Sequence, residues 1–133
     1  MANSGQKTSI YVVDDEQVIA STLVTILQIY GYNARSFSVP LLALEAAKSN
    51  PPDLLLTDVA MPGMSGTELA VQIQLICPDC KVLLFSGQAS TRSLLTKAME
   101  DGHDFAVLLK PVHPKDLLKK LRDVLEDGHA KVA

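Results

Sequence analysis

The chain has 133 residues, 47% of them hydrophobic and 20% charged, with a formal net charge of −3. That balance fits one globular domain with a single core and excludes a disordered chain, while acids interspersed with bases argue against the concentrated basic patch that a nucleic-acid or membrane surface requires. The apolar runs are short and charge-flanked, and MANSGQK carries no apolar stretch behind a basic start, so no transmembrane helix and no secretory signal are expected and a cytoplasmic location follows.

Residues 1–7 read as a flexible N-terminus, 8–127 as one domain and 128–133 as a loose C-terminal tail. SIYVV, residues 9–13, is a β-branched and aromatic run that predicts the first strand. EQVIASTLVTILQIY then places Ile19, Leu23, Ile26 and Tyr30 on one helical stripe, ended by Gly31. NARSF is a weak second strand, expected at a poorly covered edge, and Ser38 with Pro40 opens a helix through LLALEAAKS by cap and first-turn chemistry. Pro51 and Pro52 punctuate before DLLLT, the third strand. After a Gly-rich loop, GTELAVQIQLI aligns Leu69, Ile73 and Ile76 along a helix. KVLLFS is the fourth strand, STRSLLTKAMED a helix stopped by Gly102, and FAVLLK the fifth strand. In the last helix, HPKDLLKKLRDVLED, the residues Leu117, Leu121, Val124 and Leu125 face inward.

Strands one, three, four and five are continuously apolar rather than alternating, which predicts helices on both faces of a parallel sheet. The connections suit right-handed crossovers and are too long for hairpins. The expected fold is therefore α/β, a doubly wound five-stranded parallel sheet in a three-layer α/β/α sandwich.

Cys77 and Cys80 form CPDC, a spacing shared with redox dithiols and with half of a zinc site. A reactive pair of the thioredoxin kind opens a helix after a strand, whereas this one closes a helix and precedes a strand. A zinc site needs two further ligands, and His103, His113 and His129 offer no matching pair. Two structural cysteines are expected.

In an open parallel sheet, ligands bind beyond the carboxyl ends of the strands. Strand one ends in Asp14, Asp15 and Glu16, strand three in Asp58, strand four in Ser86 and Gly87, and strand five in Lys110 and Pro111. Singly, Asp15 or Ser86 could cap a helix and Lys110 could be a surface lysine. Capping does not explain Asp58, whose helix starts several residues later, and together these groups gather carboxylates, a hydroxyl and an ammonium at one edge. Two ionised carboxylates about 5 Å apart repel by roughly 3 kcal/mol at an effective dielectric near 20. Either a carboxyl takes up a proton or a cation sits among the acids, and an all-oxygen donor set without His or Cys selects a hard ion, Mg²⁺. Magnesium shared with phosphate oxygens points to phosphoryl chemistry, with Asp58 as acceptor and Asp15, Ser86 and Lys110 supplying metal, hydroxyl and ammonium contacts.

These residues resemble the receiver domain of two-component response regulators, the CheY-like family, across nearly the whole chain. VVDDE is similar to its acidic pair, DVAMPGMSG to its D-x-x-M-P-x-M-x-G phosphoacceptor loop, FSG to its strand-four hydroxyl followed by a small residue, and LLKP to its Lys-Pro. The resemblance implies a flavodoxin-like (βα)5 fold with Asp58 as phosphoacceptor, Asp15 and Asp58 as direct Mg²⁺ ligands, Asp14 as a ligand through water, and the backbone carbonyl of Ala60 as a further ligand. It also implies that Ser86, Gly87 and Lys110 bind the phosphoryl group and that the Lys110–Pro111 bond is cis. Two positions depart from the family pattern. Val107 stands where an aromatic usually sits three residues before the lysine, with Phe105 nearby, and Val112 replaces the aromatic that commonly follows Lys-Pro. The signal is therefore expected to travel through the strand-four loop and the helix after it.

The chain ends shortly after its last helix, so a stand-alone receiver is expected, catalysing only its own phosphotransfer and slow autodephosphorylation. Its implied partners are a sensor histidine kinase or histidine phosphotransfer protein and a downstream protein. The latter would meet the fourth helix, strand five and the fifth helix, where Lys115, Lys119 and Arg122 recur on one face. Two alternatives stand beside this reading. One is a pseudo-receiver that never takes a phosphoryl group. The other is an aspartyl-phosphate phosphatase like the haloacid dehalogenases, which place a second acid two residues past the nucleophile, where this chain has Ala60.

Overall fold

The structure, a computed structural model, describes residues 7–87, 96–97, 99–102 and 105–130, without the side chains of 127–130. Five parallel strands run β1 (Ser9–Val13), β2 (Asn33–Phe37), β3 (Leu54–Asp58), β4 (Lys81–Ser86) and β5 (Ala106–Leu109), side by side in the order β2-β1-β3-β4-β5. The described helices are α1 (Gln17–Ile29), α2 (Pro40–Ser49), α3 (Gly66–Ile76) and α4 (Pro114–Ala130), the last running past Gly128. The expected doubly wound α/β architecture is the observed one.

The apolar runs bury both faces of the central strands. Tyr11, Val13, Leu55, Val82 and Leu84 pack with Ala43 and Ala47 of α2 and with Leu69, Ala70 and Ile73 of α3. Ile10, Val12, Leu54, Leu56, Leu83 and Phe85 pack with Ala20, Leu23 and Leu27 of α1 and Leu117 and Leu121 of α4. Every residue of β3 is buried, so its last residue, Asp58, is held by a strand locked in on both sides.

Several details differ from the sequence-based expectations. On α1 the buried positions are Ala20, Leu23 and Leu27; Ile19 and Ile26 flank them, and Tyr30, at the C-cap, is 60% exposed. The buried line thus keeps Leu23 and runs through Ala20 and Leu27 instead of Ile19 and Ile26. On α3, Ala70 joins Leu69 and Ile73, whereas Ile76, in the last turn, is 38% exposed. The N-cap of α2 is Val39 rather than Ser38, with no side-chain cap bond, and Pro40 starts the helix. β5 is an edge strand like β2: Ala106, Val107 and Leu108 are only half-buried and Leu109 is exposed. Its apolar run therefore does not signal cover on both faces. Of the helix expected at 90–101, Thr96, Lys97, Met99 and Glu100 are helical and Gly102 follows at φ 92°. Asp101 is in a turn, while residues 90–95 and 98 of the expected helix and the loop after Gly87 lie outside the described residues, as does His103.

Candidate functional site

β1 and β3 are neighbours in register, so Asp14, just past the end of β1, and Asp58, the end of β3, meet at the carboxyl edge of the sheet. Both are buried, Asp14 completely, while Asp15 is exposed at the rim. One carboxylate oxygen from each of the three lies within 4.8 Å of the others. The Glu16 N–H donates to Asp14 Oδ1 at 2.8 Å and the Val59 N–H donates to Asp58 Oδ1 at 2.9 Å. Asp15 is not the cap of α1, whose N-cap is Glu16 with no side-chain cap bond.

Lys110 reaches these acids from the far side of β4. Its backbone N–H donates to the Ser86 carbonyl at 2.9 Å, fixing the end of β5 to the end of β4. Its ammonium stands 3.3 Å from Asp58 Oδ1 and 3.7 Å from Asp14 Oδ2, and 5.0 Å from the centroid of the Phe85 ring. Gly87 leaves room for the lysine stem: a Cβ there would sit 3.0 Å from Lys110 Cβ and 3.3 Å from Cδ. Ser86 is buried at the end of β4, beside Gly87. The Lys110–Pro111 bond is cis, as the resemblance implies.

The loop after Asp58 carries Ala60 exposed at the rim and Gly63 at φ 84°. α3 begins only after Ser65, whose hydroxyl accepts from the Glu68 N–H while the Glu68 carboxylate accepts from the Ser65 N–H, a complete capping box. Asp58 therefore caps nothing. Gly66 closes the loop by donating its N–H to the Val59 carbonyl at 2.8 Å. A Cβ at Gly66 would fall 2.0 Å from the Asp58 carbonyl oxygen, so only glycine fits this approach.

The electrostatics are unfavourable to the bare acids. Burial pushes the Asp14 carboxyl up to about 6, helped by Asp58 and Asp15 and opposed by the Glu16 N–H and Lys110. Burial also raises Asp58, against the pull of Lys110 and of the Val59 N–H. Asp14 Oδ2 is buried with no hydrogen-bond partner. Among the described residues three carboxylates face one ammonium and the donor set is oxygen only, so a hard divalent cation fits the residues present. Among the described residues this is the single group of three or more potential metal-ligating side chains.

Other sequence candidates fall elsewhere. Phe105 and Val107 are half-buried against the core on the α2 and α3 side, and Val112 against the opposite core. Cys77 is the C-cap of α3 and Cys80 is buried before β4, both with thiols raised by burial, that of Cys80 to about 12. Sequence reading overlooked Phe85 as a neighbour of the site, because an aromatic inside VLLFS reads as core; the available signal was its position directly before Ser86, on the sheet face that Lys110 also takes.

Residues 10–122 match the family described as the response regulator receiver domain. The chain is 34% identical over 116 residues to the response regulator receiver protein CpdR of Brucella abortus, covering 87% of this chain and 95% of that one. It is 33% identical over 120 residues to the transcriptional regulatory protein CreB of Escherichia coli, covering 90% of this chain and about half, 52%, of CreB. Among solved structures, a CheY-like receiver domain protein from Methanospirillum hungatei superposes with a TM-score of 0.81 at 30% identity, over 95% of this chain and 99% of that one. Among the described residues no helix is long and apolar enough to cross a membrane.

Proposed function

Because the chain belongs to the response regulator receiver domain family of two-component systems, we propose that it accepts a phosphoryl group on Asp58 from a phosphohistidine donor, a sensor histidine kinase or a phosphotransfer protein, in the cytoplasm. The observation that carries this reading is the over-charged trio of Asp14, Asp15 and Asp58, two of them buried, countered among the described residues by Lys110.

The Val59 N–H and the Lys110 ammonium both engage Oδ1 of Asp58, which directs Oδ2 to attack phosphorus as the bond to the donor nitrogen breaks. Lys110 and the Ser86 hydroxyl then neutralise charge on the equatorial oxygens, and the backbone of Gly87 allows close approach. Asp14, Asp15, Asp58 and the Ala60 carbonyl would hold Mg²⁺, whose chemistry is to screen the acceptor carboxylate and the incoming phosphate. The phosphorylated surface read by a downstream partner would include the exposed Met99, Leu109, Lys115, Lys119 and Arg122. Ala60 stands where the haloacid dehalogenases carry their second acid, which favours a stoichiometric switch over a phosphatase.

Intact-mass measurement after incubation with Mg²⁺ and acetyl phosphate tests the reading. One acid-stable, base-labile phosphoryl adduct is expected on the wild type, and none on Asp58→Asn or with chelator present. No adduct on the wild type overturns the proposal, and many phosphates released per chain would favour the phosphatase.

A further inference from the structure

The position of Lys110 raises a mechanical question. It follows β5, yet its carboxylate partners end β3 and β1, so its ammonium must cross the end of β4. Two strand spacings amount to roughly 10 Å, which needs a nearly extended lysine chain. Such a chain has many rotamers and loses side-chain freedom when held in one. Something along the path has to hold it.

Two residues flanking Ser86 line that path. Alternation along β5 puts Lys110 on the sheet face of Ala106 and Leu108, the face on which Phe85 also lies. Phe85 is 1% exposed, anchored among Leu56, Leu83, Leu117 and Leu121, and it faces Asp58 in the β3–β4 register. The Lys110 ammonium lies over its ring at 5.0 Å from the centroid, within the reach of a cation–π contact. On the other side, Gly87 presents bare backbone to the Cβ, Cγ and Cδ of Lys110.

We propose that Phe85 is a positioning residue for Lys110: its buried ring holds the ammonium beside Asp58 through a contact that does not depend on carboxylate charge. This rests on the reading of Asp58 as phosphoacceptor. The carboxylates that attract Lys110 are the groups whose charge changes when a proton, a cation or a phosphoryl group arrives. The ring's attraction does not change, so the lysine stays at the mouth of the site while its ionic partners are taken. Leucine or valine at position 85 would fill the core but offer no such seat.

Two measurements test this. In the wild type, with no ligand added, the Lys110 δ and ε methylene protons should be shifted upfield by the ring current, and Phe85→Leu should return them to ordinary values. Phe85→Leu should also weaken binding of the phosphoryl mimic beryllofluoride, followed by fluorine NMR with Mg²⁺, by about three- to thirty-fold. In a Lys110→Ala background the same substitution should change that affinity less than two-fold, since the ring then has no cation to hold. Unshifted Lys110 methylenes in the wild type overturn the inference. So does a Phe85→Leu loss of equal size with and without Lys110, which would mark a packing role only. If beryllofluoride fails to bind the wild type, the phosphoacceptor reading fails, while the methylene shifts still decide the Phe85 contact.

Discussion

Asp14→Asn should stabilise the protein when no divalent cation is present. Asp14 is fully buried, its Oδ2 has no hydrogen-bond partner, and burial lifts its carboxyl from 3.8 to about 6. For an acid with a raised folded-state value the sign is the reverse of the usual salt-bridged carboxylate. Below pH 4 both states hold the proton and the group is neutral to stability. Between pH 4 and 6 only the folded state keeps it, so raising the pH costs stability, and above pH 6 the cost is complete. A shift of about two pH units corresponds to roughly 3 kcal/mol, an upper bound because the exposed Asp15 rim admits water. Asparagine keeps the acceptor for the Glu16 N–H and removes the charge. Urea unfolding with chelator at pH 4.5, 6 and 7.5 should show wild type and Asp14→Asn within about 0.5 kcal/mol of each other at the lowest pH and diverging by about 1–3 kcal/mol in favour of Asp14→Asn at the highest. A wild type that equals or exceeds Asp14→Asn at pH 7.5 would refute the assignment of a burial penalty to this carboxylate.

Gly66→Ala should cost at least about 3 kcal/mol, the upper end of overpacking penalties, because its Cβ meets the Asp58 carbonyl oxygen at 2.0 Å and both partners are backbone-fixed. Thermal unfolding measures the loss, and a melting temperature within a degree of wild type would show that the loop closes differently. Cys80, 2% exposed with a thiol raised to about 12, should resist iodoacetamide at pH 8 until the protein is unfolded in urea. Alkylation of the folded protein at the rate of a free peptide thiol would contradict its placement under the start of β4.

Much of this was legible in the sequence because the same residues perform the local and the global task. LLL before Asp58 predicts a strand buried on both faces, and a strand so held is what a rigidly placed acid needs. The hidden parts are those in which one residue type can serve two ends. FAVLLK has the composition of a central strand, and only the sheet order makes β5 an edge. Tyr30 and Ile76 follow the helical period, but they fall at helix ends where the sheet no longer lies beneath them. Gly66 reads as a turn residue, whereas the structure gives it a contact with the Asp58 carbonyl that no spacing rule reveals. Phe85 is core by composition and borders the site by the accident of which face the end of β5 turns toward.

The acid cluster also bears on how binding and folding are connected. A fold that buries Asp14 with an oxygen unbonded violates the rule that buried polar atoms are satisfied, and such violations concentrate at functional sites. Lys110 cannot discharge the debt, since it shares one charge between Asp14 and Asp58. A cation that binds only the folded chain at a hundred times its Kd adds about 2.7 kcal/mol. That is close to the roughly 3 kcal/mol upper bound derived from the raised Asp14 carboxyl. The cation would thus restore what burial of these acids costs, and protons would compete with it as the pH falls through about 6. A site built this way resists losing its acids to mutual repair: any substitution that relaxed the cluster would stabilise the fold while removing the groups that give Asp58 its reactivity.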